Sequence, residues 1–155
     1  MVNSSQLSPR LQTTVQWLTV VPMVLFVVSF CLPAFGEYSA ENFDGTNIGL
    51  MAAYFAVIWA IASLGSNLGD SLILFGAVST NLWFPLALLF MYEKRYGPAV
   101  GLSAAATVTA LAPLTLSDDG GWLLGYWMWL GSAVVLLTLA IVSMVGANFV
   151  KKPTM

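Results

Sequence analysis

Asn81 stands about midway along an apolar run at residues 71–92, directly after Ser79 and Thr80. A polar side chain in hydrocarbon must find a bonding partner or it raises the free energy of the fold. An amide there is expected to face the interior of a helix bundle, where it either bonds a neighbouring helix or contacts a ligand. The structural bond is the simpler reading. Pro85, four residues on, has no N–H for the helix ladder and frees a carbonyl near Asn81. Ser79, Thr80, Thr107 and Thr109 are the other hydroxyls within apolar runs that could line a pore or touch a ligand.

A second set of oxygen ligands, Glu37, Glu41, Asp44, Ser66, Asn67 and Asp70, lies in polar connections. Hard cations such as calcium take oxygen ligands, but this spacing matches no calcium loop, and Glu37 to Asp44 reads as an ordinary solvated connection. Asp118-Asp119-Gly120-Gly121 reads first as a turn. Adjacent acids in a turn rarely converge on one substrate bond. No histidine is present, and Cys31 is the single cysteine. That excludes His-ligated haem, zinc and copper, His-based nucleophilic catalysis and any intrachain disulfide. A chlorophyll would need an amide or water ligand. No metal site, cofactor or catalytic group is expected.

Elements able to hold Asn81 in place follow from composition. Of 155 residues, 59% are hydrophobic and 8% charged, at a mean hydropathy of +0.85. A soluble domain carries about 25% charged residues, so this chain is expected to be an integral membrane protein. Five apolar segments occur: 15–35, 48–64, 71–92, 98–116 and 122–149. The first is read as a retained span, although Ala34-Phe35-Gly36 resembles a cleavage site and Pro22 predicts a mild kink.

Charge positions count the crossings. All five basic residues lie at three places, Arg10, Lys94-Arg95 and Lys151-Lys152, and none falls in connections 36–47, 65–70 or 117–121. Basic flanks stay cytoplasmic, so an even number of crossings separates Arg10 from Lys94. Three apolar segments lie between them, and 48–64 is the shortest. Its 17 residues make about 25 Å of helix against a core of about 30 Å. The expected fold is therefore an all-α membrane domain, a bundle of four transmembrane helices over 15–35, 71–92, 98–116 and 122–149. An outer cap, 36–70, carries 48–64 as a re-entrant or interfacial helix. The alternative has five spans with Arg10 outside. With four, both termini are cytoplasmic, and Asn3-Ser4-Ser5 never meets the glycosylation enzyme.

Trp17, Tyr92 and Trp122 are expected anchors at the membrane interface. Trp127 and Trp129 sit a turn or two deeper, where they line a cleft or touch lipid. Small residues let helices approach closely. One small face is read through Gly101, Ala105 and Thr109 and another through Ala52, Ala56 and Ala60; segment 98–116 is expected to be central.

Cys31-Leu32-Pro33 closes the first span, Asn81-Leu82 lies in a later one, and Gly125-Tyr126-Trp127-Met128-Trp129-Leu130 opens the last. With these motifs the chain resembles small bacterial multi-span membrane proteins of no assigned activity. The resemblance implies a bacterial inner membrane and supplies no catalytic residue. The expected function is a non-enzymatic membrane subunit or accessory protein, in contact with lipids and docked onto a larger membrane complex or copies of itself. An oligomeric channel or small-molecule pore is the alternative, and a lipid-modifying enzyme using Glu37, Glu41, Asp44 and Asp70 comes third. Nucleic acid is not an expected partner, because no basic footprint exists at a net charge of −2.

Overall fold

The computed structural model describes residues 9–34, 49–65, 67–115 and 124–149. Among them the chain is helical and has no strand. The elements are α1 (Pro9–Leu18), α2 (Val20–Ser29), α3 (Gly49–Ala62), α4 (Leu68–Tyr92), α5 (Tyr96–Leu111) and α6 (Leu124–Phe149). Short 3-10 turns, Ser63–Gly65 and Ala112–Thr115, follow α3 and α5. Three helices, Ser71–Tyr92, Tyr96–Thr115 and Leu124–Phe149, are long and apolar enough to cross a membrane, and a shorter apolar helix runs Thr13–Ser29.

Proline placement explains where the first helices break. Pro22 is buried, and its ring opposes the carbonyl four residues back, that of Leu18, which is where α1 ends. The expected kink thus appears one turn before the proline, at Thr19. The apolar run 15–35 also yields less helix than its length suggests. Ser29 is the last residue of α2; Phe30, Cys31 and Leu32 then bond the carbonyls of Val27, Val28 and Ser29 in tighter i+3 turns. Pro33 disfavours helix at Leu32 before it. α3 has 14 residues, about 21 Å at 1.5 Å per residue, short of a core of about 30 Å.

α5 is packed between α4 and α6, α2 lies along α6, and α3 packs on α4. Ala99, Ala106, Ala133 and Ala140 are fully buried, so α5 and α6 meet across methyl groups at close range. Phe84 and Leu136 are the largest fully buried side chains among the described residues. Phe26 of α2 stacks on Phe84 with ring centroids 4.2 Å apart and planes 8° from parallel, which ties α2 to α4.

The turn between α4 and α5 is short and well bonded. Arg95 N–H donates to Phe90 O at 2.8 Å and Lys94 N–H to Met91 O at 3.1 Å. With Lys94 at φ 60°, this is a Schellman ending in which lysine occupies the left-handed position that favours glycine. The Arg95 guanidinium lies 4.9 Å from the centre of the Phe90 ring.

Candidate functional site: an interhelical polar layer around Asn81

Thr80 turns inward from α4 to α5 and is fully buried. Its hydroxyl donates to that of Thr109 at 2.7 Å and also lies 3.3 Å from Ala106 O. Thr109 also reaches its own helix, donating to Ala105 O at 2.8 Å. One turn nearer the end of α5, the Tyr126 hydroxyl of α6 donates to Ala110 O at 2.7 Å. Trp129, about one turn along α6, donates its indole N–H to Asn81 Oδ1 at 3.1 Å. Asn81, Thr80, Thr109, Tyr126 and Trp129 thus form one polar layer across α4, α5 and α6.

The remaining hydroxyls serve local needs. Ser79 donates to Gly76 O at 2.6 Å and accepts from the Trp83 indole at 2.9 Å. Thr107 and Ser103 donate to carbonyls one turn back on α5, those of Ser103 and Ala99. Among the described residues no buried side-chain nitrogen or oxygen lacks a partner.

The expected small faces are placed differently on the two helices. On α5 the buried row runs Ala99, Ser103, Ala106, Ala110; Ala105 is half-buried and Gly101 exposed. A methyl group on Gly101 would meet nothing within 4 Å. On α3, Ala60 is fully buried and Ala56 half-buried, while the side chain of Ala52 lies outside the described structure. Trp17 and Tyr92 are 72% and 74% exposed, as suits residues at an interface. Trp122, Glu37, Glu41, Asp44, Ser66, Asp118 and Asp119 lie outside the described residues, as does the side chain of Asp70. No group of three or more Cys, Asp or Glu that could hold a metal occurs among the described residues.

Sequence reasoning missed the contact that closes the layer from above. Gly125 N–H, at the start of α6, donates to Pro33 O at 2.7 Å. A Cβ on Gly125 would lie 2.6 Å from Leu32 O and 2.7 Å from Pro33 O. Two motifs far apart in sequence, Cys31-Leu32-Pro33 and Gly125-Tyr126, therefore meet backbone to backbone. The carbonyl of Pro33 also supplies the partner that a first-turn N–H lacks. Trp129 was missed as the partner of Asn81, although an indole N–H held inside a bundle needs an acceptor.

Comparison with family models, curated proteins and solved structures gives no match to this chain.

Proposed function

We propose that the chain is a non-enzymatic membrane subunit that docks through α3 onto another membrane protein or a second copy of itself. The carrying observation is the row Leu50, Tyr54, Ile58, Ile61 on α3. These residues are spaced at i, i+4, i+8, i+11 and all exposed, so they share one helix face. α3 packs on α4, and its Ala60 is fully buried. Thr80 and Thr109 are bonded to each other between α4 and α5, and this supports the subunit over a pore within one chain, since a lumen needs its polar groups turned inward to water.

The proposed topology has four crossings, the first made by the Thr13–Ser29 helix and the tight turns after it, with α3 re-entrant and both termini in the cytoplasm of a bacterial cell. Its support is that the start of α1, the α4–α5 turn and the end of α6 share one end of the bundle. Arg10 and Lys94-Arg95 lie on the first two, and Lys151-Lys152 follow the third in sequence. Cys31, exposed at the opposite end, should be labelled in intact cells by a membrane-impermeant maleimide. A cysteine at position 94 in a Cys31→Ser background should label only after lysis; the reverse pattern would overturn the orientation.

The subunit reading is tested by photo-crosslinking from positions 54 and 58 in native membranes. A single stoichiometric adduct, absent when the crosslinker is moved to Val142 on α6, is the expected result. Lipid adducts alone, on a chain that stays monomeric, would count against docking.

A further inference from the structure

Asn81 holds one half of its amide in a bond and leaves the other half without a partner among the described residues. Its Oδ1 is taken by the Trp129 indole at 3.1 Å, which fixes the amide and turns Nδ2 away from that ring. No bond from Nδ2 to another described group exists, and no fully buried side-chain atom is left unpaired, so this N–H2 is reachable from outside the protein. Every other indole or hydroxyl in the layer is bonded within the chain. The main chain repeats the pattern at the same residue. Pro85, inside α4, has no N–H to give to the carbonyl four residues back, that of Asn81 itself. Such freed groups in membrane helices are satisfied by neighbours, by water or by a ligand.

Depth and surroundings choose among ligands. Asn81 is ten residues from Ser71 and eleven from Tyr92 in the 22-residue apolar stretch of α4, about 15 Å from either end at 1.5 Å per residue. The ester and headgroup oxygens of a phospholipid stay near the interface, so they do not reach this level of a core about 30 Å thick. Pro85 and Leu89 follow Asn81 at i+4 and i+8 and are exposed, so the half-buried amide heads a row that opens sideways to lipid. The Trp129 indole, bonded to Asn81 Oδ1, sets an aromatic ring beside it.

We propose that Asn81 is the recognition point of a lateral site for a lipophilic carbonyl compound of the quinone type, one able to carry an oxygen to the middle of the bilayer. Nδ2 donates to the ligand carbonyl, while the apolar tail lies along Pro85 and Leu89. In the reduced form of such a compound the carbonyl becomes a hydroxyl, whose oxygen still accepts from Nδ2 and whose proton can be donated to the carbonyl that Pro85 leaves open.

The test is a calorimetric titration of the full chain, in uncharged detergent micelles, with a decyl-tailed benzoquinone. Saturable one-to-one binding is expected. Asn81→Leu should weaken it about tenfold, the worth of one hydrogen bond in a site of low polarity. Thr109→Val breaks the Thr80–Thr109 bond of the same layer while leaving Asn81 and Trp129 untouched, so it should stay within about threefold of the wild type. That contrast separates recognition from structure, because loss of the bundle would move both variants equally. Heat that rises without saturation, an equal loss in both variants, or a solid-state NMR contact from the Asn81 amide to water alone would each overturn the proposal. None of these outcomes bears on whether α3 crosslinks to a partner.

Discussion

α3 and α5 are helices of 14 and 16 residues, both apolar and rich in alanine, yet one rides on the flank and the other lies at the centre. α5 buries Ala99, Ser103, Ala106 and Ala110 and is held by α4 on one side and α6 on the other. α3 buries Ala60 against α4 and turns Leu50, Tyr54, Ile58 and Ile61 outward. A row of small residues therefore states only that a helix has a close neighbour. Its other faces decide whether there is a second one: on α5 the Thr109 hydroxyl reaches Thr80 of α4, whereas α3 exposes the large residues Leu50, Tyr54, Ile58 and Ile61. Hydroxyls add to the difference, since Thr109 and Thr80 bond across the α4–α5 interface.

The most severe way to break the central assembly is at its roof. Gly125→Leu places a Cβ at 2.6 Å from Leu32 O, a main-chain atom that cannot rotate away. The start of α6 must then move off Pro33 and lose the 2.7 Å bond. Overpacking of this kind costs about 3 kcal/mol, visible as a large drop in melting temperature in detergent. Gly101→Leu, on the exposed face of α5 with nothing within 4 Å, should change it little.

A matched pair tests centre against flank. Ala106 on α5 and Ala60 on α3 are both fully buried. Ala106→Leu must push apart helices held on two sides, at about 1–3 kcal/mol. Ala60→Leu meets a helix packed mainly on α4 and tied to α2 through the Leu50 N–H to Phe30 O bond at 3.1 Å near its start, so it can shift outward more easily and its loss should be smaller. Equal losses in a thermal melt would show that α3 is as confined as α5, and the comparison would fail. Thr80→Val combined with Thr109→Val in a double-mutant cycle should return a coupling of about 0.6–1.7 kcal/mol, the range for hydrogen bonds between membrane helices.

Much of this was legible in the residues because hydropathy and charge act over long stretches. Runs 71–92, 98–116 and 122–149 needed no neighbour to be recognised, and α3 was short in sequence as it is in space. That the Asn81 amide bonds another helix followed from the cost of leaving it unpaired in hydrocarbon. Its partner did not, because Trp129 lies 48 residues away and an indole at that depth fits lipid, a cleft or a bond equally well. The packed row on α5 was misplaced through Gly101 and Ala105 for a related reason. Nearly every residue of Gly101 to Ala110 is small, so sequence cannot say which stripe touches the neighbour. Gly125 was unreadable as a contact, since its role depends on Leu32 and Pro33 reaching it from another helix.

The smallest expected effect sharpens the comparison at the joint that makes α5 central. α4 and α5 are linked by residues 93–95, with Lys94 at φ 60°, whereas α3 reaches α4 through a 3-10 turn at Ser63–Gly65. A side chain in the left-handed region costs about 1–2 kcal/mol per residue, and glycine removes that cost while adding freedom to the unfolded chain. The balance for Lys94→Gly is a gain of about 0.5 kcal/mol. Lys94 also belongs to the basic flank, so the same variant removes one positive charge beside the membrane. Reading both consequences in one protein is informative: the melting temperature should rise by a degree or two, while maleimide labelling of Cys31 from outside stays unchanged, because Arg95 still marks that end. A fall in melting temperature would mean that the Lys94 side chain contributes more to the α4–α5 turn than its backbone strain costs.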